Sequence, residues 1–304
     1  MLNTEISGLR MKNPLILASG ILDEVGSTMA EIGKQAGAVV TKSVGTEPRE
    51  GYGNPAVIPL EHGILNAVGL ANPGIDEYGE EIKEAKKGGA PVIGSVFASD
   101  YDGFGYLAGR MEEYGADAVE LNLSCPHARG YGLEVGSSPE GVRKAVESAV
   151  SSVKIPVFAK LTPNTHDITA LAMAAYEAGA SGVVAINTVK GMAIDADTGI
   201  PVLANKVGGY SGPAIKPIGL RLVYEIAGKF EREGIRMPVI GVGGISTGRD
   251  AMEYMMAGAS AVQVGSAFHY RGKDTMKLIA EEMEEFMREK GYSCIKEVVG
   301  LALR

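Results

Sequence analysis

The stretch PVIGVGGISTGRDAMEYMMAGASAVQVGS, residues 238–266, decides the fold. It opens with an apolar run, PVIGVG (238–243), continues with a helical pattern, TGRDAMEYMMAG (247–258), and ends in a second apolar run, AVQVGS (261–266). Short runs that are apolar throughout are typical of parallel strands buried on both faces. The stretch therefore predicts a strand–helix–strand unit with parallel strands.

The same alternation fills nearly all of the 304 residues. Six further apolar runs predict strands: PLILAS (14–19), AVVTKS (38–43), PVIGSV (91–96), AVELNL (118–123), PVFAKL (156–161) and GVVAIN (182–187). Helical patterns cover residues 27–35, 75–87, 102–114, 138–152, 167–179, 216–233 and 274–291, and Ser27 is the expected N-cap of the first. Eight such units predict an α/β fold, a closed (β/α)8 TIM barrel in one domain over residues 1–304, with a doubly wound open sheet as the structural rival.

Three segments fall outside the repeating units. Residues 4–13 predict a small N-terminal β-hairpin that closes the bottom of the barrel. Residues 44–74 and 188–215 are too long for simple connections, and we expect them to form β insertions above the barrel. Long loops in a compact domain are usually functional, so these two insertions are candidates for the site.

Composition excludes several classes of protein. A formal net charge of −8 argues against nucleic-acid binding. No apolar run reaches the ~18 residues that a membrane span needs, and the first residues do not resemble a signal peptide, so we expect a cytoplasmic protein. The two cysteines, Cys125 and Cys294, predict no disulfide framework, and Cys294 is expected to be a small buried residue. The four histidines show no metal-ligand spacing.

Glycines at the ends of the last two strands predict an anion site. GVGGIS ends the seventh strand just before the helix near Thr247, and VGSAF follows the eighth. Backbone N–H groups at such a place, next to a helix N-terminus, bind phosphate in many barrels. The pattern suits FMN and equally suits a phosphorylated substrate, while tight turns alone are the structural alternative.

Lysines and amides stand at the ends of other strands. Lys42 and Lys160 each follow apolar residues, and a half-buried ammonium calls for an anionic partner such as a flavin or an anionic substrate. The amides of Asn66, Asn72, Asn122 and Asn187 offer both donors and acceptors, which a pyrimidine ring would match. The structural alternatives are lysines extended along the surface and ordinary turn chemistry.

Cys125 lies just past the fourth strand, next to Pro126 and ahead of Gly130, Gly132 and Gly136. A glycine-rich segment that carries a reactive side chain is typical of an active-site lid. A thiol with an ordinary pKa of about 8.5 can serve as a general base or as a nucleophile near neutrality. The structural alternative is a small buried hydrophobic residue.

Seven motifs, taken together and in order, resemble the dihydroorotate dehydrogenase family across almost the whole chain. They are TKSVGTEPREGYGNP, NAVGLANPG, LNLSCPH, FAKLTPN, INTVKG, GGYSGPAIKPIGL and GVGGI…VGSAF. Cys125 in LNLSCP marks class 1, because class 2 members carry serine there. The expected lack of an N-terminal membrane-binding extension agrees with class 1.

The resemblance implies roles for matching positions and one FMN per chain. Cys125 would be the catalytic base in the oxidation of dihydroorotate to orotate, a step of pyrimidine biosynthesis. FMN would be held by Ser19, Lys42, Ser43, Asn122, Lys160, Ile186, Gly212, Gly243, Gly244, Gly265 and Ser266. Dihydroorotate would be held by Lys42, Asn66, Ala67, Val68, Gly69, Leu70, Asn122, Asn187 and Thr188.

Within class 1 the chain is most similar to the catalytic subunit of the 1B type. That type pairs with an iron–sulfur flavoprotein carrying FAD and [2Fe–2S] and passes electrons to NAD, which implies a homodimer or a heterotetramer. His127 departs from the family pattern, in which asparagine follows Cys-Pro, and the segment ARGYGLEVGSSPEG resembles archaeal members. The alternatives are a class 1A enzyme that uses fumarate, a flavin barrel acting on dihydropyrimidines such as dihydrouracil, a phosphate-binding isomerase or lyase, and a non-catalytic scaffold subunit.

Overall fold

Parallel strands and helices alternate along the chain, as the sequence predicts. A computed structural model describes residues 1–124 and 135–304. Its strands in these ranges are β1 (Thr4–Ile6), β2 (Leu9–Met11), β3 (Leu15–Leu17), β4 (Ala38–Val40), β5 (Val57–Leu60), β6 (Gly63–Asn66), β7 (Val92–Val96), β8 (Ala118–Asn122), β9 (Val157–Leu161), β10 (Gly182–Ala185), β11 (Val189–Gly191), β12 (Ile194–Asp195), β13 (Ile200–Pro201), β14 (Gly208–Ser211), β15 (Val239–Val242) and β16 (Ala261–Val264). Its helices are α1 (Gly26–Gly33), α2 (Gly79–Lys86), α3 (Tyr101–Glu113), α4 (Pro139–Ser152), α5 (Ile168–Glu177), α6 (Lys216–Glu233), α7 (Gly248–Met256), α8 (Ala267–Arg271) and α9 (Thr275–Lys290).

Eight strands close into a barrel in the order β3-β4-β7-β8-β9-β10-β15-β16. All neighbouring pairs are parallel, and the ring closes where β16 pairs with β3, with Gln263 beside Ile16. Every strand of the ring therefore has a partner on both sides, which an open sheet cannot provide. The (β/α)8 prediction is confirmed, and each of the eight apolar runs contains one barrel strand.

The lower half of the barrel interior is filled with apolar side chains. Ile16, Val40, Phe158 and Ile240 belong to one buried cluster inside the ring. The antiparallel hairpin of β1 and β2 adds Ile6, Leu9 and Met11 to the same cluster. The hairpin thus closes the bottom of the barrel, as predicted, and leaves the opposite end, where the strands finish, for a site.

The predicted helices are present, with three differences. Ser27 is not an N-cap: α1 starts at Gly26 after the extended residue Val25, with no side-chain cap. The first N–H group of the helix instead donates to the Glu81 carboxylate of the neighbouring α2. Residues 75–87 divide into a 3-10 turn at Ile75–Glu77 and α2, and the short α8 was not predicted at all.

The two long insertions pair with each other above the barrel. Strands β5 and β6 come from the first insertion, β11 and β14 from the second, and together they form a four-stranded antiparallel sheet in the order β11-β14-β6-β5. A two-stranded ribbon, β12 and β13, extends from the second insertion. The predicted β insertions are confirmed, and their shared sheet places residues 66–70 and 188–212 over the mouth of the barrel.

Two further expectations concern the chain as a whole. Within residues 1–124 and 135–304, no helix has the length and apolar character needed to cross a membrane. Cys294 is exposed, so its assignment as a small buried residue is wrong. The reason is local: Cys294 precedes a short 3-10 turn in which Ile295, the next residue, takes the buried position.

Candidate active site

A cavity of about 420 Å³ lies at the carboxyl ends of the barrel strands. This volume is in the usual range for small-molecule sites, roughly 300–1,000 Å³. Its walls include all the residues that the sequence assigns to FMN: Ser19, Lys42, Ser43, Asn122, Lys160, Ile186, Gly212, Gly243, Gly244, Gly265 and Ser266. They also include all those assigned to dihydroorotate: Lys42 and Asn122, which are shared with FMN, and Asn66, Ala67, Val68, Gly69, Leu70, Asn187 and Thr188. Cys125 falls outside the described residues, but its neighbour Ser124 lines the cavity.

Glycines make a close-fitting cradle at one end of the cavity. Gly243 and Gly244 follow β15 with φ angles of 132° and 69°, a region that favours glycine. A Cβ atom on Gly244 would lie 2.8 Å from both the Gly212 carbonyl oxygen and the Lys216 amide nitrogen. The backbone is therefore packed so closely that only glycine fits, and its N–H groups remain near the cavity. This arrangement fits a phosphate group such as that of FMN.

Helix α7 begins directly behind the cradle. Thr247 caps it by accepting a hydrogen bond from the Asp250 amide, and the Asp250 carboxylate accepts one from the Thr247 amide at 2.8 Å. The Asp250 carboxylate also pairs with Lys216 Nζ at 2.7 Å. The cap and the ion pair fix the loop that carries the glycines. The glycine-rich turn at which the sequence predicts an anion site is therefore held in place by its neighbours.

Polar side chains form the floor of the cavity. Glu120, Lys160 and Gln263 project into the barrel from β8, β9 and β16, one layer above the apolar cluster. Lys160 Nζ lies 3.2 Å from Glu120 Oε1 and 2.8 Å from Gln263 Oε1. Gln263 Nε2 donates to Glu120 Oε2 at 2.5 Å. We name Glu120, Lys160 and Gln263 the floor triad.

The other predicted lysine lies at the cavity wall. Lys42 follows β4, and its side chain is largely buried. Its ammonium lies 3.4 Å from Glu24, whose carboxylate is exposed. Both predicted lysines thus reach the cavity, but only Lys160 has a buried carboxylate as its partner.

Hydroxyl and amide groups form a continuous chain across the top of the barrel. Ser43 Oγ lies 3.2 Å from Ser19 Oγ and 2.7 Å from the buried Ser95 Oγ. Asn122 donates to Ser43 Oγ at 3.1 Å, and Asn187 donates to Asn122 Oδ1 at 3.3 Å. These bonds fix the orientation of each amide. They connect β3 to the end of β10 with groups that can bind a polar ring.

The insertion sheet supplies the roof. The Asn66 side chain donates to the Gly209 carbonyl at 3.2 Å, which joins β6 to β14. After it the chain turns at Gly69 and Leu70, which have positive φ angles of 75° and 59°. Residues 66–70 therefore form a curved loop that lines the cavity on the side of the insertion sheet.

Asn72 does not belong to the group of cavity amides. It is buried, and its side chain donates to Leu70 and accepts from the amides of Gly45 and Gly74. All its bonds hold the first insertion in shape. The interpretation of Asn72 as a pyrimidine-binding amide is therefore wrong. The alternative is confirmed: Asn72 stabilises a turn by hydrogen bonds to the backbone.

Sequence reasoning missed several polar residues of the cavity, namely Tyr52, Glu120, Ser124, Asn164, Lys190, Asn205 and Gln263. Two of these had a signal: Glu120 and Gln263 are single polar residues in strands that are otherwise apolar. Ser124 Oγ is buried and has no hydrogen-bond partner in the described part of the chain. Such a hydroxyl at a cavity wall is available to a ligand.

One buried carboxyl lies beside the cavity without lining it. Asp23 is 1% exposed, and its Oδ2 accepts from the Gly20 amide at 2.5 Å. Burial raises the pKa of Asp23 to about 6, although the Gly20 hydrogen bond and the charge of Lys42 act to lower it. Asp23 therefore fixes the loop after β3, of which Gly20 and Ile21 form cavity wall.

Comparisons with known proteins agree with this geometry. The family model described as dihydroorotate dehydrogenase matches residues 1–287. The chain is 52% identical over 304 residues to "Dihydroorotate dehydrogenase B (NAD(+)), catalytic subunit" of Thermoplasma acidophilum, a match covering 100% of this chain and 99% of that one. Proteins of the same description are 49% identical in Pyrococcus abyssi, covering 100% of both chains, and 49% identical in Methanocaldococcus jannaschii, covering 99% of this chain and 98% of that one.

Proposed function

Because the chain belongs to the dihydroorotate dehydrogenase family, we propose that it oxidises (S)-dihydroorotate to orotate in de novo pyrimidine biosynthesis. One observation carries the proposal. The residues given a role in FMN or dihydroorotate binding lie in two insertions and at seven barrel strands, yet all the described ones line a single cavity. A cavity with a glycine cradle at one end and lysines and amides along its walls suits a phosphate-bearing flavin and a planar, anionic pyrimidine.

FMN is the cofactor of this family. The cradle of Gly243, Gly244, Gly265 and Ser266 would hold its phosphate, and the lysines and the Ser43–Asn122 network would hold its ring. When bound, FMN takes the hydride that leaves C6 of the substrate. Lys160 would compensate the negative charge that the reduced cofactor carries. The protein would hold FMN and the substrate next to each other, supply the positive charge of its lysines and exclude water from the cavity.

Cys125 is the proposed base that removes the C5 proton. The support is that its sequence neighbour Ser124, the last described residue before the gap at 125–134, lines the cavity. A thiolate is a competent base near neutrality, because the ordinary pKa of a cysteine is about 8.5. Asn66, Asn122 and Asn187 would donate to the pyrimidine carbonyls and stabilise the charge that develops as the proton leaves.

Electrons leave by a partner subunit under this proposal. The similar archaeal proteins are described as catalytic subunits that use NAD(+). This chain has two cysteines in its whole sequence, too few for a cluster held by four thiolates. A [2Fe–2S] cluster and FAD would therefore belong to an iron–sulfur flavoprotein, with which this chain forms a heterotetramer. Direct use of fumarate is the competing acceptor.

The decisive experiment is anaerobic mixing of the purified chain with dihydroorotate while the flavin absorption is followed. We expect a yellow protein that bleaches with dihydroorotate and not with dihydrouracil. Addition of NAD+ to the reduced chain should restore the colour only after the partner subunit is added. Rapid recovery with fumarate alone would favour the class 1A type, and a protein that binds no flavin would contradict the proposal.

A further inference from the structure

The floor triad is an unusual feature of the barrel interior. Glu120 and Gln263 are each 1% exposed and Lys160 is 5% exposed. A cluster of buried apolar side chains, including Phe158 and Ile240, lies below them. Branched apolar residues usually fill such interiors, and they pack as stably as a buried ion pair does. Stability of the fold therefore does not explain why a carboxylate lies there.

The bonds of the triad form a closed ring. Glu120 uses one oxygen for Lys160 and the other for Gln263, and Gln263 uses its own oxygen for Lys160. An ammonium has three N–H donors, so the two acceptors found among the described residues leave one donor for an occupant of the cavity. The ring thus fixes Lys160 in place, with one donor available at the floor.

The charges of the triad decide its effect on a ligand. The Lys160 ammonium and the Glu120 carboxylate are 3.2 Å apart, and both are buried where water screens little. Their charges offset each other, so the floor presents a weaker positive potential than Lys160 alone would. Lys42 differs in this respect, because its partner Glu24 has a side chain that is 77% exposed and screened by water.

We propose that Glu120 and Gln263 are positioning residues that hold Lys160 against the flavin, and that Glu120 limits the electron affinity of that flavin. The inference rests on the proposed function, since it takes FMN as the occupant of the cavity. With Glu120 present, Lys160 stabilises the reduced cofactor only in part. This keeps the reduced cofactor able to pass its electrons onward.

The test replaces the carboxylate by an amide of the same shape, Glu120→Gln. The floor then carries a net positive charge, and the reduced flavin should be more stable. We expect the equilibrium constant for two-electron reduction to rise at least tenfold, equal to about 30 mV in midpoint potential, measured by equilibration with a reference dye. Sulfite, which binds oxidised flavins as an anion, should bind at least tenfold more tightly.

Two variants serve as controls for this change. Glu120→Asp keeps the charge and should leave the potential and the sulfite Kd within threefold of wild type. Glu24→Gln makes the same chemical change beside Lys42, and because Glu24 is exposed, the sulfite Kd should change less than twofold. If Glu120→Gln does not fold, Glu120→Met removes the same charge with an apolar side chain of similar length, and it should tighten sulfite binding at least tenfold for the same reason.

The outcomes separate this inference from the proposed function. A wild-type chain that binds no FMN would contradict the proposed function. A wild-type chain that binds FMN and is reduced by dihydroorotate supports that function. If Glu120→Gln, or Glu120→Met in its place, then leaves the equilibrium constant for flavin reduction and the sulfite Kd within twofold of wild type, the role of the floor triad is overturned.

Discussion

Gly209 on β14 lies opposite Asn66 on β6, and the Asn66 side chain donates to the Gly209 carbonyl at 3.2 Å. The two residues come from separate insertions, so this pair, together with Tyr210–Leu65 and Ser211–Ile64, joins the two halves of the roof. A Cβ atom on Gly209 would lie 2.1 Å from Thr188 Oγ1, a residue of the cavity wall. Thr188 can therefore keep its present position beside β14 only if residue 209 has no side chain.

We expect Gly209→Ala to weaken dihydroorotate binding by displacing Thr188 and the Asn66 loop. The KM for dihydroorotate should rise on the order of tenfold, which corresponds to about 1.4 kcal/mol. FMN content should stay unchanged, because the cradle is at the other end of the cavity. Steady-state kinetics with a flavin assay would check this, and an unchanged KM would show that the roof adapts to the extra methyl group.

Cys125→Ala should keep bound yellow FMN and lose most of its reduction by dihydroorotate. Loss of a general base lowers rates by about 10²–10⁴-fold. Anaerobic stopped-flow mixing would measure the rate of flavin bleaching. Cys125→Ser should retain more activity at high pH, because a serine hydroxyl is a poorer base at neutrality.

Cys294→Ala provides the matched control for that experiment. Cys294 is exposed and lies near the C-terminus, and it is absent from the cavity walls. Its replacement should leave the bleaching rate within twofold of wild type. A Cys125→Ala variant that bleaches as fast as Cys294→Ala would remove the assignment of Cys125 as the base.

Gly244→Ala should weaken FMN binding. At a φ angle of 69°, an L-residue costs about 1–2 kcal/mol, and the added Cβ would also press on the Gly212 carbonyl and on Lys216. We expect the Kd for FMN to rise about tenfold or more, measured by titrating the apoprotein with FMN and following flavin fluorescence. Gly109→Ala on α3 is the control, because its Cβ would meet no atom within 4 Å. Equal Kd values for the two variants would exclude a close-fitting cradle.

Local signals explain why the barrel could be predicted from the sequence. The apolar runs mark the strands, and Gly115, Gly179 and Gly258 mark the ends of helices α3, α5 and α7. All three have positive φ angles, 89°, 87° and 106°, which is typical of a glycine just past the end of a helix. Each of these features depends on a few neighbouring residues only. The short α8 has five residues, too few to show a helical period.

The arrangement of the site depends on distant pairings that no local pattern contains. The Asn66–Gly209 and Glu120–Gln263 contacts each join residues 143 positions apart. Family motifs predicted most of the residues that line the cavity, including Lys160 of the floor triad. The other two members, Glu120 and Gln263, were missed because they are single polar residues in strands that are otherwise apolar. Asn72 is the opposite case: it was predicted to belong to the site because asparagine suits a pyrimidine, but within the described residues its side chain bonds only to the backbone of its own insertion.

Asp23 should make the stability of the protein depend on pH. Its pKa is about 6 in the folded protein and 3.8 in a model peptide, so folding favours the neutral carboxyl. The stabilisation is complete below about pH 4 and is lost as the pH rises through 6. Over this window the free energy of unfolding should fall by up to about 3 kcal/mol relative to Asp23→Asn, at 1.36 kcal/mol per pKa unit.

Urea unfolding of wild type and Asp23→Asn between pH 4 and pH 7.5 measures that difference directly. Asp167→Asn is a control whose difference from wild type should stay nearly constant between pH 4 and pH 7.5. The Thr169 hydroxyl and the Ala170 amide donate to the Asp167 carboxylate and lower its pKa. The stabilisation by Asp167 is therefore present above about pH 4 and lost as the pH falls further, through the pKa of the folded state. If the wild-type minus Asp23→Asn difference stayed constant from pH 4 to pH 7.5, Asp23 would be ionised throughout, and the buried carboxyl would hold the Gly20 loop as an anion.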